Sequence, residues 1–282
     1  MPQAKNSRRL NTEVIVALIG AAAIIVAAII TGLFTLLHSL IPHFGGSTSP
    51  VPTASSSTLT SLASCSSGFS DEFTQSSYDK RWQWLSDGNS TVRTVQGSLS
   101  ISASVDQDLY AGNTSAPKLL QPIQGNFTVE TLVDFTPSHT YQGAGILLWQ
   151  DSKNFIRLEH GYGDLGAIIL EQEINGSHQK LVSPFSKDAA KIPTAAPRVK
   201  LRIQRDNAIV SAWWQDPSGD TTWQPVGSTQ VAFNPSIMVG LAVVNKPQAP
   251  NPDNTGAPIT AQFDYFRVIC DKVSHGVVLF LP

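Results

Sequence analysis

The sequence predicts an all-β protein whose main body is a two-sheet antiparallel sandwich, preceded by one membrane-spanning helix and a disordered stalk. Three observations carry this. Short apolar runs of period two recur between residues 81 and 270, punctuated by Gly, Pro, Asn and Asp. No stretch of that region shows the 3.6-residue period of an amphipathic helix. About 200 residues of such strands favour one sandwich over several domains.

Residues 1–13 are polar and basic, with Lys5, Arg8 and Arg9 opposed only by Glu13. Val14 to Leu37 is then an apolar run of 24 residues, relieved only by Gly20, Thr31, Gly32 and Thr35. At about 1.5 Å per residue it is long enough to cross a bilayer. It exceeds the apolar core of a cleaved signal peptide, and no clear small-x-small cleavage site follows. Positive charge precedes the run, and the next Lys or Arg is Lys80. The expected orientation is therefore N-terminus in the cytoplasm, the rest outside the cell, with the lipid bilayer as partner of 14–37. Residues 38–67 are rich in Ser, Thr, Pro and Gly and bury too little to fold, which predicts a stalk.

Within the domain, 68–270, strand candidates fall at 81–85, 91–95 and 99–103. The densest stretch, Phe127 to Gly163, is read as a meander of three consecutive strands, broken at Thr136–His139 and at Asp151–Asn154. Further candidates lie at 166–173, 199–205, 208–215, 237–245 and 261–270. Val199, Leu201 and Ile203 alternate with Lys200, Arg202 and Gln204, a strand with one buried face. In 237–244 the residues opposite Ile237, Val239, Leu241 and Val243 are the mostly smaller Met238, Gly240 and Ala242. That suits either a groove floor or a strand roofed by a loop. The tail 271–282 is too short to span a membrane and receives no function.

Charge excludes one class of partner. A net charge of −2, without a basic stripe, gives nucleic acid no phosphate-neutralising surface. Charged residues are 14% of the chain, and polarity comes largely from uncharged side chains, a bias associated with extracellular β-proteins. Cys65 and Cys270 flank the domain, as a closing disulfide or as two free thiols.

Several segments together carry a resemblance: FSDEF at 69–73, RWQW at 81–84, APKLLQP at 116–122, NFTVET at 126–131, YQGAGILLW at 141–149, NFIRLE at 154–159 and AQFDYFRV at 261–268. In this order they resemble the concanavalin A-like lectin/glucanase superfamily, in particular the C-terminal domain of family-43 β-xylosidases. The resemblance implies a jelly roll with a concave, saccharide-binding face, usually without catalytic machinery of its own. Because a jelly roll commonly pairs its terminal strands, it also favours the Cys65–Cys270 disulfide. A structural Ca2+ is the one cofactor it raises, with Asp264 and Asp71 or Glu72 as ligands.

Saccharide binding needs flat aromatic faces with planar polar groups beside them. The candidates are Trp84, Tyr141, Gln142, Trp149, Arg157, Glu159 and Trp214. Arg157 and Glu159 share a strand face with Phe155, as a ligand-binding pair or as a surface ion pair. Whether Trp149 or Leu148 joins that face depends on the register at 151–154. Trp213 and Trp214 are consecutive, so one is expected in the core. The E-x-D-x-x-E arrangement of jelly-roll glucanases is absent, and Glu171 and Glu173 are read as a solvated strand edge. The leading expectation is a membrane-anchored, non-catalytic module that binds oligo- or polysaccharide. A non-lectin interaction or sensory module and a glycoside hydrolase are the alternatives.

Overall fold

The computed structural model describes residues 65–86, 88–161, 167–182, 197–246 and 257–270. The anchor predicted at 14–37, most of the predicted stalk and the tail lie outside the described residues. Among the described residues there is no helix, hence none long and apolar enough to cross a membrane.

Fourteen strands form the body: β1 Gln83–Leu85, β2 Thr91–Val95, β3 Ser98–Ala103, β4 Lys118–Gln124, β5 Phe127–Asp134, β6 Gln142–Asp151 and β7 Asn154–Gly161, then β8 Ala167–Ile174, β9 Ser177–Val182, β10 Arg198–Asp206, β11 Ile209–Gln215, β12 Gln224–Gln230, β13 Ser236–Asn245 and β14 Ile259–Ile269. They build two antiparallel seven-stranded sheets. The first runs β1-β4-β13-β6-β7-β8-β9 and the second β12-β11-β10-β5-β14-β3-β2. The predicted sandwich is the observed one.

Alternation decides which face is core. Leu119 and Ile123, Ile146 and Leu148, Ile156 and Leu158, and Ile237 to Val243 at odd positions turn inward from the first sheet. They meet Leu99, Ile101, Val129, Val133, Leu201, Ile203, Phe263 and Phe266 from the second. A period-two strand can bury one face only, so the odd residues of β7 and β8 and the even ones of β13 face outward from this core.

The three-strand meander is not what forms. β5 belongs to the second sheet, between β10 and β14, whereas β6 pairs with β13 and β7 in the first. The break after Asp134 carries the chain from one sheet to the other, which a sequence pattern cannot distinguish from a tight turn. Only the β6–β9 half is consecutive.

Cys65 and Cys270 form a disulfide, joining the domain's entry to the end of β14. Nearby, Asp71 exchanges two backbone hydrogen bonds with Phe266, 2.8 Å each. Its carboxylate accepts from the Phe73 amide at 2.8 Å and from Trp82 Nε1 at 3.0 Å. Trp82 is thereby fixed edge-on to Phe69 and Phe266. The closing corner is thus a polar clip around an aromatic plug.

Candidate functional site

The site face is the outer side of the first sheet. Register sets neighbouring side chains in rows across it. One row is Leu147, Arg157, Glu171 and Lys180; the next holds Gly145, Glu159 and Ile169; on the other side come Trp149, Phe155, Glu173 and His178. A bulge between Trp149 and Asp151 settles the hairpin: Trp149 shares the face of Arg157, and Leu148 is core.

Half of this face is roofed. The segment between β3 and β4 folds back over it, pinned by backbone bonds between Gln107 and Asn245. Its Leu109 and Ala116 close a second apolar cluster over Leu120, Leu147, Phe155, Ala242 and Val244, with Trp149 and Met238 packed alongside. The small residues of β13 therefore lie under a loop, the second of the two sequence-based readings. Trp149 stacks on Phe155 at 5.4 Å, and Lys118 Nζ sits 4.9 Å from its ring.

The other half is charged. Arg157 is 7% exposed, Glu159 2%, Glu171 4% and Glu173 1%. Arg157 Nη1 donates to Glu159 Oε2 at 3.1 Å, and Nη2 donates to Glu171 Oε2. The guanidinium thus lies between two carboxylates. His178 Nε2 is 3.7 Å and Lys180 Nζ 3.9 Å from Glu171. Glu173 accepts the Ala111 amide of the covering loop at 2.9 Å. Gly143 makes room for this cluster, since a Cβ there would stand 2.5 Å from Glu159 Oε2.

Burial sets the electrostatics. It pushes the Glu159 carboxyl above its ordinary range, against the opposing pull of Arg157. Burial alone would lower Arg157, but Glu159 and Glu171 outweigh it and hold the guanidinium firmly charged. Asp108, on the covering loop, is raised by burial, and His178 is lowered by it.

The sequence candidates therefore separate. Arg157, Glu159 and Trp149 share the outer face, and Tyr141 stands at its edge with its ring 5.8 Å from Lys180 Nζ. Gln142 does not belong with them. It faces inward, accepting from the Ser138 and His139 amides and donating to Asn245. Trp84 and Trp214 pack on the sandwich core, because their strand positions pair with inward Leu119 and Leu201. Glu171 and Glu173 are not a solvated edge: both are buried, β9 adds a further strand beyond β8, and the loop meets Glu173.

The calcium set does not converge. Asp71 is taken up by Trp82 and Phe73, Glu72 is bidentate to Arg267 at 2.7 and 2.8 Å, and Asp264 accepts from Arg198 and Ser98. Among the described residues no group of three His, Cys, Asp or Glu has metal-holding geometry. Sequence reasoning missed His178, Lys180 and Tyr110 as neighbours of the cluster. Their signal was weak, because β9 is polar and Tyr110 lies in an irregular loop.

Residues 70–269 match the β-xylosidase C-terminal concanavalin A-like domain. The chain belongs to that family. A glycoside hydrolase family 43 protein from Bacillus licheniformis shares the fold at 18% identity and TM-score 0.57, over 72% of this chain and 39% of that one. Xylan β-1,4-xylosidase from Bacillus halodurans does so at 18% and 0.54, over 81% and 41%. A Saccharomyces cerevisiae protein described as functionally unknown is covered over 97% of its length by 68% of this chain, at 14% and 0.54. The chain thus spans about two fifths of the bacterial enzymes, and the likeness establishes the fold. No curated protein matches the sequence. In this concanavalin A-like domain the outer face carries the chemistry worth testing.

Proposed function

We propose that the domain binds oligo- or polysaccharide on the outer face of the first sheet, without turnover. In the same proposal it is displayed outside the cell, on an N-in anchor at 14–37 and a stalk at 38–67. The observation that carries the reading is Arg157. A guanidinium held between Glu159 and Glu171, away from the core and in the row that leads across Glu171 to Lys180 and the nearby Tyr141 ring, sets planar donors and acceptors near an aromatic face. The membership in a carbohydrate-associated family points the same way. Absence of turnover is supported by the missing E-x-D-x-x-E pattern and by both carboxylates engaging one guanidinium, which leaves neither free to protonate a leaving group.

A shallow site of this kind binds at micromolar to millimolar concentrations, roughly −4 to −8 kcal/mol. A glycan array followed by calorimetry tests it, and no binding to any saccharide removes the lectin reading. Release of reducing sugar, lost in Glu159→Gln, would establish a hydrolase instead. Extraction of the protein from membranes by alkaline carbonate would refute the anchor.

A further inference from the structure

We propose that Asn175 is the point at which this chain ages covalently, by spontaneous loss of its side-chain amide, and that the neighbouring β6–β7 turn sets the rate. This modification lies outside the saccharide-binding reading and does not depend on it.

Asn175 and Gly176 are the only Asn-Gly pair in the chain. An asparagine followed by glycine is the pair most open to this reaction, because no Cβ shields the next backbone nitrogen. Gly176 N attacks Asn175 Cγ and the Cγ–Nδ2 bond breaks. The proton lost from the Gly176 amide leaves with the side-chain nitrogen as ammonia. Water then opens the cyclic imide. Opening at Cγ gives aspartate; opening at the Asn175 backbone carbonyl gives isoaspartate, whose main chain is one methylene longer. The net change is water in and ammonia out, with no oxidation or reduction.

The fold holds the reacting nitrogen back. Asn175 and Gly176 are the two central residues of the β8–β9 hairpin, between the paired Ile174 and Ser177, with φ of 54° and 74°. Asn175 is exposed to water. Yet Gly176 N donates to Lys153 O at 3.0 Å, and Asn175 N donates to Asn154 Oδ1 at 3.0 Å. Both partners belong to the adjacent β6–β7 turn. Asn154 is itself fixed there, its Nδ2 donating to the two Asp151 carboxylate oxygens at 2.9 and 3.0 Å. Asp151 also accepts from the Lys153 amide at 2.8 Å. The nucleophile is released only when the two turns part, so local opening governs conversion.

The product matters because of where the turn lies. β9 is an edge strand, joined within its sheet to β8 alone. A backbone lengthened by one methylene no longer closes a two-residue turn. Isoaspartate at 175 therefore breaks the register that sets His178 opposite Glu173 and Lys180 opposite Glu171.

The test uses the full chain in detergent micelles, incubated at mildly alkaline pH, with peptide mapping of every asparagine. In urea, Asn175 should convert faster than any other asparagine. In the folded chain it should convert about tenfold more slowly than in urea, or slower still. Asn154→Ala should speed the folded-state conversion about three- to tenfold, leaving the rate in urea and the other asparagines unchanged. Asp151→Ala should act in the same direction. A folded rate equal to that in urea, no acceleration in both variants, or another asparagine converting first in urea overturns the inference.

Discussion

Replacing Arg157 by Met tests the charged cluster as a unit. The substitution removes the cation that neutralises Glu159 and Glu171 while keeping an unbranched side chain of similar length. Breaking a buried ion pair from one side costs about 3–5 kcal/mol, because the charge left behind is desolvated and uncompensated. Two carboxylates are stranded here, and Glu159 is already held above its ordinary range by burial. At pH 7.5 the loss should be about 4 kcal/mol, which urea unfolding would read as a midpoint lower by about 1–2 M. The sign with pH follows from Glu159. A carboxyl whose folded-state pKa is raised favours the folded protein most below its unfolded pKa, and that contribution disappears as pH rises through the folded value. Loss of Arg157 raises it further, so the deficit should shrink between pH 7.5 and pH 5. The triple variant Arg157→Met, Glu159→Gln, Glu171→Gln should recover most of the loss. A deficit below about 1 kcal/mol, or one that ignores pH, would refute the reading of these three residues as one buried ionic unit.

Three further outcomes follow from other parts of the domain. His160 is buried against Phe135, its Nδ1 makes no hydrogen bond, and burial lowers its pKa to about 4. The unfolded chain therefore gains a proton near pH 6.5 that the folded one refuses, so stability is lost from there down to pH 4, by about 3 kcal/mol; His160→Leu should lack this acid limb in denaturation curves. The Cys65–Cys270 bridge closes a separation of 205 residues, so the Cys65→Ser, Cys270→Ser variant should lose about 5 kcal/mol, visible as a melting temperature lower by 10 °C or more. Asp71→Ala should cost about 2–4 kcal/mol through the lost Phe73 and Trp82 bonds, while calcium and chelator leave the wild-type melting temperature unchanged; a calcium-dependent rise would restore the metal site.

The sandwich was legible because its inner faces obey period two almost everywhere. Val199, Leu201 and Ile203 announce an inward face without help from any neighbour, and so do Ile237 to Val243. Three strands escaped this reading. β9 and β12 are sheet edges of mostly polar composition, and Pro225 and Gly227 in β12 look like punctuation. β4 contains Pro122, tolerated because β1 pairs only with residues 118–120, so no partner strand needs its missing amide. The site was half legible. Spacing alone put Arg157 and Glu159 on one face with Phe155. It could not show Gln142 turning inward, since that depends on which sheet β6 joins, nor Glu173 being covered, since the cover comes from a loop about 60 residues earlier.

The two halves of the outer face make different physical sense. Over β4, β13 and β6 the loop closes an apolar cluster, and that half needs no function beyond stability. Over β7, β8 and β9 the same sheet buries an arginine and three glutamates, although apolar residues of similar volume would serve stability as well or better. The loop could have extended its apolar contacts one strand further. Instead its tip meets Glu173 through a backbone amide and lays Tyr110 against His178. Packing alone does not call for that arrangement, which leaves hydrogen-bonding groups unmet. Those groups, Arg157 Nε and the ring of His178, lie in the charged half. The face thus divides, along β7, into an apolar half closed by the loop and a charged half, where the saccharide-binding proposal places its ligand.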